Sequence, residues 1–133
     1  MNKIRTLIAH SDENVTKRIV NNMKNLDFVE IVGTASNGQE TYNKIIELKP
    51  EVVFAKIDME KMNSIEMLKK SKENLKENVP IFNLITSQNV SEDYIEEAYK
   101  IIGKNLNCFV REPVKNQEID YIMESYKEYM ENK

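Results

Sequence analysis

The chain has 133 residues, 41% hydrophobic and 31% charged, with a net charge of −3 from 19 basic and 22 acidic side chains. That is enough for one domain with a real core and too little for two of ordinary size, so residues 1–133 are expected to form a single domain. The charges are spread without a basic block, which removes any electrostatic case for nucleic acid or a membrane surface.

A lone cysteine, Cys108, permits no intrachain disulfide and suits a reducing cytosol. The opening "MNKIRTLIAHSDE" has too short an apolar run for a secretory signal, and no segment reaches the roughly 18 apolar residues of a membrane span. A cytoplasmic location is the expectation.

In chain order, "IRTLIA" (4–9) reads as a strand ending in the polar "HSDEN". Val15, Ile19, Met23 and Leu26 then recur at helical spacing and predict an amphipathic helix. "FVEIVGTA" (28–35) alternates as a strand does, and "SNGQE" opens a helix with Tyr42, Ile45 and Ile46 inward. "EVVFAKI" (51–57) is almost continuously apolar, as in a strand buried on both faces of a parallel sheet. A helix over 64–77 buries Ile65, Leu68 and Leu75, and Pro80 opens the strand "IFNLIT" (81–86). Ser91 is expected to cap the next helix, with Tyr94, Ile95, Ala98 and Ile102 inward. "NCFVR" (107–111) is the fifth strand, and after Pro113 a last helix turns Ile119, Ile122, Met123, Tyr126 and Met130 to the core.

Five strands alternating with five helices predict a three-layer α/β/α fold around a parallel, doubly wound sheet. Ligands of such folds gather at the carboxyl ends of the strands, here "HSD", "KID", "ITS" and "REP".

Several of these stretches resemble the receiver domain of two-component response regulators, over roughly residues 3 to 127. They are "IRTLIAHSDE", "VEIVGTASNGQE", "KPEVVFAKIDMEKMNSIEML", "VPIFNLITS" and "CFVREPV", with Pro50, Met59, Met62 and Asn63 fixing the register of the third. The resemblance implies a CheY-like (flavodoxin-like) sheet of order 2-1-3-4-5 and a role in signal transduction. In that family two acidic residues after the first strand and an aspartate after the third hold Mg²⁺, and the aspartate accepts phosphate from a histidine kinase. A hydroxyl residue and a lysine contact the phosphoryl group, and an aromatic residue on the fifth strand reports the change.

Transferred position by position, this pattern is broken. The acidic pair falls on His10 and Ser11, the phospho-acceptor on Lys56, and the lysine before proline on Glu112. The hydroxyl position falls on Ile85 by ungapped counting, with Thr86 one step away. Phe109 alone keeps the family character, at the switch aromatic position. An ammonium forms no acyl phosphate and repels Mg²⁺, so the resemblance implies a degenerate pseudo-receiver with no catalytic residue, metal or other cofactor, and no enzymatic activity. Acceptor and lysine face each other in the family; here the same positions carry Lys56 and Glu112 with the signs exchanged, which predicts a salt bridge.

The expected partners are proteins: a histidine kinase, a regulator, a second receiver, or another copy of the chain through the fourth helix, fifth strand and fifth helix. Tyr94, Tyr99 and the C-terminal tyrosines are candidate anchors there. No output domain is expected to follow the last helix, hence no DNA binding. Two other readings stand beside this one: phosphotransfer through a surrogate acceptor such as Asp58, and a small-molecule-sensing domain that reuses the pocket. His10, the only histidine, cannot form a histidine metal cluster. It is expected to be a polar rim residue, Asp12 a helix cap, and Cys108 a small core residue.

Overall fold

A computed structural model describes residues 2–86 and 90–133. The five apolar runs are strands: β1 Ile4–Ala9, β2 Val29–Ala35, β3 Val52–Lys56, β4 Ile81–Thr86 and β5 Leu106–Arg111. All pair in parallel, in the order β2-β1-β3-β4-β5. Between and after them run α1 Glu13–Met23, α2 Gly38–Leu48, α3 Ser64–Leu75, α4 Glu92–Ile102 and α5 Asn116–Glu131.

Each helix start has a local cause. The side chains of Asp12, Asn37, Asn63 and Ser91 accept backbone N–H bonds from the first turns of α1 to α4, which satisfies amides that the helix leaves open. α5 has Lys115 at its N-cap and no side-chain cap.

Strand alternation sorts the core into two layers. Leu7, Val53, Ala55, Phe82 and Leu84 point to the side packed with Ile45 of α2, Met67 and Leu68 of α3, and Ala98 of α4. Ile4, Ile8, Phe54, Ile85 and Val110 point to the other, with Ile19 and Met23 of α1 and Ile119 and Met123 of α5. β3 is buried on both faces, as its unbroken apolar run requires.

Two predicted ends move. Leu26 lies past α1 because Asn25 N–H bonds back to Asn22 and Leu26 N–H to Met23, three residues rather than four, which tightens and ends the helix. α3 stops at Leu75, followed by a 3₁₀ turn over Lys76–Asn78. No helix among the described residues is long and apolar enough to cross a membrane.

The loop from β3 to α3 is held from both sides. Met59 and Met62 are buried beneath it, and Gly38 at the start of α2 donates its N–H to the Glu60 carbonyl at 2.9 Å.

Candidate functional site

Ile8, Phe54 and Val110 face the α1/α5 layer from β1, β3 and β5. Two residues further along each strand come His10, Lys56 and Glu112, on that same face by alternation. The three sit at the carboxyl ends of three strands, where a doubly wound sheet places its ligand site. Glu112 is tethered by its own N–H to the Thr86 carbonyl at 2.7 Å, and the Glu112–Pro113 peptide bond is cis.

Lys56 Nζ lies 3.4 Å from Glu112 Oε1, and the two side chains are only 17% and 19% exposed. His10 Nε2 lies 3.0 Å from Glu112 Oε2. The Asp12 N–H donates to His10 Nδ1 at 2.9 Å, which leaves Nδ1 unprotonated and puts the ring proton on Nε2, donated to Glu112. Glu112 thus accepts from a lysine and a neutral histidine, and Asp12 also caps α1 through Asn14 N–H.

His10 is therefore not a rim residue: its side chain is 1% exposed. The signal was in the sequence, since Ile4, Thr6, Ile8 and His10 follow one another at the strand period on a covered face. Ser11 is exposed in the turn. Asp58 approaches Lys56 Nζ at 3.9 Å, but its side chain is 65% exposed and solvent screens the contact.

Ile85 pairs in register with Lys56 and is wholly buried in the α1/α5 layer beneath the three polar groups. Thr86 is buried at the end of β4 and alternates to the opposite face with Leu84. Ser87, at the end of the predicted "ITS" rim, lies outside the described residues. Phe109 packs half-buried on the α2/α3/α4 layer, edge-to-face with Tyr94 at 6.2 Å between centroids. Burial, above all, holds the Tyr94 phenol above its ordinary range.

The residues do not fit Mg²⁺. A hard dication takes carboxylate and carbonyl oxygens, whereas the strand ends offer an ammonium against the pocket's carboxylate and a histidine with both nitrogens engaged. No cluster of three or more His, Cys, Asp or Glu suited to a metal occurs among the described residues.

Cys108 is half-buried rather than fully in the core, and its thiol donates to Asn83 Oδ1 at 3.2 Å. Burial first, then the Glu118 carboxylate, pushes the thiol up to about 11. Alkylation by iodoacetamide at about pH 8 should be on the order of 100-fold slower in the native chain than in urea, because only the thiolate reacts. The raised value also stabilises the fold below the ordinary thiol range, and that contribution is lost as pH climbs to about 11. Equal native and unfolded rates would contradict both statements.

No family model matches the chain. It is 30% identical over 119 residues to a protein-glutamate methylesterase/protein-glutamine glutaminase of Clostridium acetobutylicum, covering 90% of this chain and 33% of that protein. A Geobacter sulfurreducens relative, protein-glutamate methylesterase/protein-glutamine glutaminase 3, is 29% identical over 115 residues, 86% of this chain and 29% of its own. The chain thus spans about a third of the length of these relatives. Among solved structures, the response regulator domain of Thermotoga maritima CheB superposes with a TM-score of 0.78 at 22% identity over 98% of both chains. The signal receiver domain of NarL from Mycobacterium tuberculosis gives 0.80 at 16% identity, over 96% of this chain and 98% of that one. With the 2-1-3-4-5 order of its sheet, these likenesses give the chain the CheY-like fold of response-regulator receiver domains.

Proposed function

We propose that this chain is a response-regulator receiver domain that signals without phosphorylation, as a pseudo-receiver that works through protein–protein contacts. The observation that carries the reading is the Lys56 ammonium, 3.4 Å from the Glu112 carboxylate, at the strand end where the family resemblance expects an acceptor aspartate facing a lysine. A lysine offers phosphate no carboxylate oxygen, and its charge disfavours the Mg²⁺ that a phosphoryl transfer needs for neutralisation. His10 adds a second donor to the same carboxylate, so the pocket's own groups satisfy one another.

On this reading residues 1–133 form one non-enzymatic cytoplasmic module without cofactor. Its partners are proteins such as a kinase or another regulator, and neither nucleic acid nor membrane. The esterase activity named for its relatives is not assigned to it, since the chain matches only about a third of their length.

Intact mass after incubation with acetyl phosphate, with and without Mg²⁺, tests the proposal. The expected result is an unchanged mass in both arms. A stable Mg²⁺-dependent phosphate addition overturns it, and peptide mapping to Asp58 would then identify a surrogate acceptor.

A further inference from the structure

We infer that Asn83, in the middle of β4, is the positioning residue of the strand-end cluster. It holds a bulge in β5 that decides whether Glu112 or Arg111 faces Lys56. Phe82 pairs with Leu106 and Asn83 with Cys108, so Asn107 is an extra residue inserted between them. Such bulges are rare between parallel strands and gather at sheet edges, and β5 is an edge of this sheet.

The bulge reverses the faces of everything after it. Leu106 lies with the α2/α3/α4 layer, yet Cys108 and Val110, two and four residues on, lie with the α1/α5 layer. Thr86 therefore pairs with Arg111, and Glu112 comes next, on the face of His10 and Lys56. In a flush strand Asn107 would pair with Asn83, Phe109 with Ile85 and Val110 with Thr86. Arg111 would then take the place of Glu112, a guanidinium turned toward the Lys56 ammonium and the Nε2–H of His10.

The apolar residues of β5 do not choose between these registers. Leu106, Cys108, Phe109 and Val110 put apolar side chains on both faces in either one. Asn105 fixes only the start of the strand, donating from Nδ2 to the Val79 carbonyl at 2.9 Å. Asn83 supplies the distinction. Its Oδ1 accepts from Asn107 Nδ2 at 2.8 Å and from the Cys108 thiol at 3.2 Å, the two residues that the bulge sets against it. The amide is wholly buried, and its Nδ2 has no hydrogen-bond partner among the described residues. A buried donor left unmatched is destabilising, so an apolar side chain would serve the core better. What the amide contributes is register.

The inference rests on the Lys56–Glu112 pair of the proposed reading, but its first readout, the strand register, does not depend on that pair. Glu112 N–H bonds to the Thr86 carbonyl, so by alternation Val110 N–H also points into the sheet, while those of Phe109 and Arg111 point away from β4. Amide hydrogen exchange should therefore be slow at Val110 and Glu112. In a flush strand it would be slow at Phe109 and position 111 instead.

Arg111→Gln removes the repulsion that opposes the flush strand and serves as the background, in which the native exchange pattern should persist. Adding Asn83→Leu should move slow exchange toward Phe109 and position 111. The drop in urea midpoint caused by Glu112→Gln should then fall to about half or less of its value in the background. Deleting Asn107 from that double variant leaves no extra residue, so Cys108 meets position 83 without a bulge. Slow exchange should return to Val110 and Glu112, and the full Glu112→Gln drop with it, a rescue that a merely structural role for Asn83 would not produce. Asn107→Ala in the same background removes the donor from an exposed side chain, leaves the core intact, and should move the exchange in the same direction. Native exchange in both the Asn83→Leu and the Asn107→Ala chains, or no recovery on deleting Asn107, would overturn the assignment. A Glu112→Gln change without effect in the native chain would instead overturn the pair and leave the register result standing.

Discussion

Glu112→Gln should lower the unfolding free energy by about 2–3 kcal/mol, toward the low end for a broken buried pair because the site keeps some solvent. The substitution is nearly isosteric, so packing is preserved and the loss is electrostatic. Lys56 Nζ then faces a neutral amide at a strand end where its side chain is only 17% exposed. His10 keeps a partner, since its Nε2–H can donate to an amide oxygen. Urea unfolding at neutral pH measures the effect, and a change within experimental error would show that Lys56 escapes to solvent.

A double-mutant cycle isolates the pair. Lys56→Met removes the cation and leaves Glu112 with the His10 hydrogen bond alone, at a smaller cost than the converse. Lys56→Met/Glu112→Gln should recover about 1–2 kcal/mol of the summed single losses, because neither charge is then left unpaired. Full reversal, Lys56→Glu/Glu112→Lys, should recover less. A lysine at 112 would meet the Nε2–H of His10, a donor against a donor, and the Asp12 N–H fixes that tautomer. Equal recovery by both doubles would mean that His10 has no part in the coupling.

That asymmetry shows where the sequence was legible and where it was not. The pairing of positions 56 and 112 was legible through the family resemblance, in which the two positions face each other; in the structure each lies two residues past an apolar strand position, and alternation with the parallel order brings them to one face. The five strands were readable because their apolar runs must be buried between helix layers. His10 was misjudged because a polar residue just before a turn resembles a rim residue. The strand period of Ile4, Thr6, Ile8 and His10 already set it on the covered face; the bond from the Asp12 N–H to Nδ1 at the start of α1, a local geometry with no periodic signature, was not legible. Ile85 against Thr86 needed the register itself: pairing with Lys56 fixes which of the two turns into the core.

Gly38→Ala should destabilise by about 3 kcal/mol or more, at the upper end for overpacking. Intrinsic propensity gives the opposite sign, since alanine is favoured over glycine inside a helix by about 1 kcal/mol, and Gly38 is the first residue of α2. Sterics decides. A Cβ at position 38 would stand 1.8 Å from the Met62 carbonyl oxygen and 2.7 Å from its carbonyl carbon, backbone atoms that no rotamer change can move. The β3–α3 loop must back away, which stretches the bond from Gly38 N–H to the Glu60 carbonyl and lifts Met59 and Met62 from their buried seats. Truncating the neighbour should give no relief: Met62→Ala combined with Gly38→Ala should be less stable than Gly38→Ala alone, because the clash is with the main chain and the methionine adds only packing. The denaturation midpoints of the two single variants and the double variant suffice. A stabilised Gly38→Ala would mean that the loop yields freely and that α2 does not pin the segment between Lys56 and α3.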